Sequence, residues 1–141
     1  MAQLEADHVN LKRVQLLGTG LWDEQRIFET PALAGGLYAA PDNAGFKNFA
    51  TRYRTRFGAE PVRTATLAYD AVALVAALVK TQGPQRFSEQ VLTGPSGFAG
   101  IDGIFRFKTD GTNERGLAVL RVAPGGSQVV SPPPRAFTPG A

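Results

Sequence analysis

"TLAYDAVALVAALVK", residues 66–80, is the stretch on which the fold turns. Between positions 67 and 79 every residue is apolar except Tyr69 and Asp70, which predicts a helix beginning near Thr64 and covered on most of its sides. Such a helix needs a substantial partner surface. Asp70 within it has to be paired or sit at an edge, because a lone buried carboxylate is costly. Near the first turn it complements the helix dipole.

Immediately upstream, Phe46, Phe49, Ala50, Tyr53 and Phe57 recur at helical spacing, while Lys47, Arg52 and Arg56 fall off that face. The spacing predicts a helix from Asn43 whose aromatic stripe is core, stopped by Gly58 and followed by Pro61. Earlier still, "VQLLG" (14–18) is a short apolar run expected to form a buried strand. "WDEQRIF" (22–28) reads as one or two helical turns with Asp23 capping, closed by Pro31, and "GGLYAAP" (35–41) as a second strand. Residues 1–10 read as the tail of a helix, with Leu4 and Val9 apolar and Asn10 as its stop.

Downstream, "QRFSEQVLTG" (85–94) predicts a shorter helix. "GIDGIFRF" (100–107) and "GLAVLRV" (116–122) are strand-like runs expected to pair as a hairpin across "KTDGTNER", whose Asp110-Gly111 marks the turn. From Ser127 the tail, with "SPPPRAFTPGA", reads as too proline-rich to pack and therefore extended or disordered. Strands alternating with helices argue for an α/β layer architecture, with the last hairpin as an antiparallel addition.

The 141 residues suffice for one domain with a core, and a 43% apolar fraction is that of a globular protein. A net charge of +3 permits weak attraction to anions without establishing a nucleic-acid partner. Arg52, Arg54 and Arg56 fan around a helix instead of lining one stripe. With no cysteine and a single histidine, His8, neither a disulfide nor a Cys- or His-rich metal site can form. No stretch approaches about 18 uninterrupted apolar residues, so no membrane span is expected, and "MAQLEADHVNLK" is not a signal peptide.

"LLGTGLWDE" (16–24) invites a nucleotide-loop reading and fails it. Gly18-Thr19-Gly20 would need glycine at position 23, where Asp23 stands, and no Gly-Lys-Ser or Gly-Lys-Thr occurs for a P-loop. Its place at the end of a strand still suits a binding rim. Trp22 there forms either a stacking wall for a ligand or a seal on the sheet edge. No serine sits in a G-x-S-x-G elbow and His8 is expected to be peripheral, so no catalytic triad is expected, and no convergent metal set or cofactor loop is expected either.

Taken in order, "VQLLGTGLWDE" (14–24), "GGLYAAP" (35–41), "RYRTRFGAEPVRTATLAYDAVALVAAL" (52–78) and "GFAGIDGIFRFKTDGTNERGLAVLRV" (97–122) resemble the C-terminal portion of type I periplasmic binding proteins of the Leu/Ile/Val-binding class. More narrowly, they resemble the lipoprotein branch that activates penicillin-binding proteins. The resemblance implies a partial fold: a Rossmann-like parallel sheet flanked by helices in incomplete lobes, with residues 10–60 from one lobe, 62–100 from the other, 101–123 as hairpin and 127–141 as tail. It further implies a non-enzymatic role, capturing amino acids or similar small polar ligands for an ABC permease in the periplasm, or, in the activator branch, regulating a penicillin-binding protein in peptidoglycan synthesis. Thr19, Gly20 and Trp22 would then line one rim of the ligand cleft, and Thr64, Thr66 and Tyr69 the other. Incomplete lobes also imply a fragment of a longer protein, or self-association.

Overall fold

The computed structural model describes residues 6–10 and 13–137, so Leu4 and the first half of the expected N-terminal helix lie outside the described residues. The chain forms two compact units, residues 1–40 with 118–132, and residues 41–117 with 133–141. The chain leaves the first unit after Ala40 and re-enters it at Ala118.

The first unit is a four-stranded mixed sheet in the order β1-β2-β6-β7. β1 (Leu17–Gly18) and β2 (Leu37–Ala40) are parallel, while β6 (Ala118–Ala123) and β7 (Gly126–Ser131) add antiparallel strands. Between β1 and β2 lie a 3-10 turn (Gly20–Trp22), the single-turn helix α1 (Gln25–Phe28) and a second 3-10 turn (Pro31–Leu33). Alternation does the burying: Tyr38 and Ala40 on β2 meet Ala118, Leu120 and Val122 on β6, with Trp22, Ile27, Phe28 and Leu33 packed against them. β1 is shorter than predicted and Leu17 is 73% exposed, so it is not the buried strand its composition suggested.

The second unit holds α2 (Asn43–Phe57), α3 (Ala65–Thr81), the short α4 (Glu89–Leu92) and a three-stranded antiparallel sheet of β3 (Phe98–Gly100), β4 (Gly103–Phe107) and β5 (Asn113–Arg115). Asp42 caps α2 by accepting the Ala44 N–H, and Gly58, at φ +69°, ends it with its N–H on the Arg54 carbonyl. The predicted helix at 85–94 is reduced to the four residues of α4.

Two expectations fail here for identifiable reasons. "GLAVLRV" does not pair with "GIFRF": β4 closes a tight hairpin with β5, in which Asp110 accepts the N–H and hydroxyl of Thr112, and β6 joins the other unit. The tail from Ser127 is extended at its start, one of the two states expected of it, but it is not too proline-rich to pack. It forms β7 against β6 up to Ser131, and the prolines follow the strand instead of interrupting it. Beyond them Phe137 lies 4.4 Å from the Arg106 guanidinium.

α3 also departs from its sequence reading. Only Thr66, Asp70 and Leu78 are buried, all on one face at intervals of four or eight residues, while Val72, Val75 and Val79 are 71%, 48% and 50% exposed. The described residues cover one side of this helix, not most of it.

Candidate functional site

In the first unit the strand-end turn is built by Thr19, whose hydroxyl accepts the Leu21 N–H at 3.4 Å and whose carbonyl takes the Trp22 N–H at 2.9 Å. Thr19 and Gly20 are exposed, and Leu21 is 76% exposed, so the turn presents an open rim. Trp22 turns the other way. Its indole lies where a side chain on Gly18 would stand, packs beside Gly36, and sits 6.5 Å from the Tyr38 ring. Of the two roles the sequence left open, these contacts favour the seal on the sheet.

Beneath the turn, the Tyr38 hydroxyl donates to Asp23 Oδ1 at 3.2 Å. Burial pushes its phenol up to about 12, a hydrogen bond with Ser127 opposes the shift, and the neighbouring Asp23 carboxylate adds to it.

In the second unit the start of α3 is held by a polar cluster. Arg63 Nη1 donates to both oxygens of Asp102 at 3.0 Å, and the Thr66 hydroxyl donates to Asp102 Oδ2 at 2.6 Å. The Arg63 guanidinium also stacks 4.7 Å from the Phe46 ring. Thr66, expected on the ligand rim, is completely buried, and its hydroxyl is taken up by Asp102 at the helix start. Thr64, at the N-cap, is exposed and makes no side-chain capping bond, while Tyr69 is 46% exposed.

One turn further, Asp70 is buried in the second turn of α3 and accepts the Ile101 N–H. It anchors the β3–β4 connection and is not a dipole complement in the first turn. Two glycines admit that connection: a side chain on Gly45 would meet the Ile101 carbonyl, and one on Gly100 the Asp70 carboxylate. Sequence patterning flagged Asp70 but not Arg63 or Asp102; the only signal for Asp102 was its place between an apolar run and a glycine.

Between α2 and α3 lies an open groove of about 380 Å3, lined by Phe49, Arg52, Tyr53, Arg56, Phe57 and Tyr69. The aromatic stripe read as core is therefore only partly core: Phe49 is 7% exposed, but Phe57 is 61% exposed.

Among the described residues, no group of three or more His, Asp or Glu is placed to hold a metal ion, and no helix is long and apolar enough to cross a membrane. The expected ligand residues fall into two sets, Thr19, Gly20 and Trp22 in the first unit and Thr64, Thr66 and Tyr69 in the second.

No protein-family model and no curated protein sequence matches the chain. Solved structures do. A candidate branched-chain amino acid ABC transporter from Rhodospirillum rubrum matches over 91% of this chain and 39% of its own, at 26% identity and a TM-score of 0.71. A leucine binding protein, LivK, from Thermotoga maritima matches over 97% of this chain and 40% of its own, at 20% identity and a TM-score of 0.57. LivJ from Streptococcus pneumoniae, a branched-chain amino acid transporter substrate binding protein solved with isoleucine, matches over 92% of this chain and 40% of its own, at 19% identity and a TM-score of 0.51. The chain thus spans about 40% of the length of these three proteins.

Proposed function

Because the chain carries part of a type I periplasmic-binding-protein fold, we propose that it serves as part of a solute-binding protein that captures amino acids or similar small polar ligands for an ABC transporter in the periplasm, without catalysing a reaction. The observation that carries this reading is the likeness over 91% of the chain, at a TM-score of 0.71, to a candidate branched-chain amino acid ABC transporter. Support comes also from LivK, a leucine binding protein, and from LivJ, solved with isoleucine.

In this reading the exposed Thr19 hydroxyl and the backbone at Gly20 form one polar rim, and Thr64 and Tyr69 form another. Hydroxyls and backbone N–H groups of this kind suit a carboxylate or an ammonium group. Thr66 acts indirectly, by fixing the helix start through Asp102.

Calorimetric titration with leucine, isoleucine, valine and a set of polar amino acids tests the proposal. A saturable isotherm for at least one of them is expected, weakened roughly 3- to 10-fold by Thr19→Ala or Thr64→Ala, the usual worth of one hydrogen bond. Absence of heat from every amino acid tried would sink it.

A further inference from the structure

We propose that the groove between α2 and α3 binds a small aromatic carboxylate, with its ring seated on Tyr53, Phe57 and Tyr69 and its carboxylate held by Arg52 and Arg56. The site follows from the periodicity of one helix. Phe49, Tyr53 and Phe57 recur every four residues, and Arg52 and Arg56 run beside them at the same interval, so α2 carries an aromatic row and a cationic row side by side. α3 closes the other side with Tyr69, edge-on to Phe49 at 5.5 Å.

The rings form a continuous track. Phe49 stands 5.9 Å from Tyr53, and Tyr53 stands 4.6 Å from Phe57. Phe49 is the buried floor, whereas Phe57 and Tyr69 are half-exposed and leave ring surface free for a planar guest. The volume, about 380 Å3, falls in the range of small-ligand pockets.

Charge decides the class of guest. Arg54, on the far side of α2, is ion-paired with Glu60. Among the described residues no carboxylate pairs with Arg52 or Arg56, whose guanidinium groups lie 5.8 Å from the rings of Tyr69 and Phe57. A guanidinium resting on a ring keeps its N–H edge free, and that edge matches a carboxylate in a two-pronged hydrogen bond. An apolar track flanked by two such cations selects a ring bearing an acid over a neutral ring or an aliphatic acid.

The groove lies wholly in the second unit and shares only Tyr69 with the two polar rims, so loss of benzoate binding and loss of amino-acid binding are separable outcomes. The test is titration of the protein, followed by calorimetry and amide chemical shifts, with benzoate, benzamide and cyclohexanecarboxylate. Benzoate should bind saturably, with shifts centred on α2, and benzamide roughly 10-fold more weakly. The double variant Arg52→Gln with Arg56→Gln should bring benzoate down to the affinity of benzamide while its thermal melt stays that of the parent. Arg52→Lys with Arg56→Lys should recover part of the loss. Leucine should not compete, and Thr19→Ala and Thr64→Ala should leave benzoate binding intact.

Equal affinity for benzoate and benzamide overturns the proposal, as does the lack of saturation at millimolar benzoate. So does sedimentation showing a dimer that Phe57→Ala breaks and benzoate does not displace, since the groove's occupant is then a second copy of the chain.

Discussion

Both carboxylate oxygens of Asp70 accept the backbone N–H of Ile101, at 2.9 and 3.1 Å. One acid in a mostly apolar helix thereby fastens the β3–β4 connection to α3. The carboxylate escapes the cost of lone burial because a main-chain donor meets it. Asp70→Ala should leave that N–H without its partner and cost about 1–3 kcal/mol, seen as a fall of roughly 3–10 °C in Tm. Asp70→Asn keeps one carbonyl acceptor and should cost less. An unchanged melt for Asp70→Ala would show that the bond does not hold the connection.

Gly45→Ala offers a test in which propensity and packing disagree. In an exposed helix the change stabilises by up to about 1 kcal/mol. Here the new methyl meets the Ile101 carbonyl, so overpacking of about 1–3 kcal/mol should reverse the sign. Denaturant unfolding reads the difference directly, and a more stable Gly45→Ala protein would contradict the close approach.

Trp22 can be assigned by separating stability from binding. As a seal over Gly18 and Tyr38, its replacement by alanine should cost roughly 2–4 kcal/mol, somewhat below the figure for a fully buried tryptophan. Trp22→Phe should retain most of the stability and leave amino-acid affinity unchanged. A large loss of affinity in Trp22→Phe with an unaltered melt would restore the ligand-wall role.

Tyr38 makes stability fall in strong alkali. Its folded-state phenol titrates at about 12, against 10.0 for an ordinary tyrosine, chiefly because it is buried. Below about pH 10 both folded and unfolded chains keep the proton and the contribution is constant. Between about pH 10 and 12 the unfolded chain ionises first, which draws the equilibrium toward unfolding. Urea midpoints across that window should drop less steeply for Tyr38→Phe than for the parent; parallel slopes would count against the shift.

The two long helices were legible because they carry local signals. α2 starts at an Asp cap, ends at a left-handed glycine and repeats its aromatics at helical spacing, all local in sequence. Strand partners were not. The run 116–122 follows β4 closely, and neighbours in sequence usually pair, yet its inward residues Ala118, Leu120 and Val122 complement Tyr38 and Ala40, far upstream. Nothing local announces that match. In the tail the prolines dominate the composition and hide a ladder strand, because they begin only after its last residue, Ser131.

The polar residues divide in the same way. Asp70 declared itself by standing alone in apolar surroundings, but its partner is a backbone N–H, which no side-chain pattern encodes. Thr66 attracted a ligand role because a hydroxyl beside a helix start suits one, whereas burial against Asp102 gives it a structural partner.

The ladder pair Ala40↔Ala118 has a consequence for the order of assembly. The chain departs from the first sheet at one of these residues and returns at the other, so residues 41–117 form a module threaded into a single hairpin. Closing a loop of that length from an unfolded chain costs roughly 4 kcal/mol in chain entropy. A module that folds first brings its two ends together beforehand and turns a distant encounter into a local one. β2 and β6 would then zip last, and the sheet that looks like a foundation would be the final part of the molecule to form.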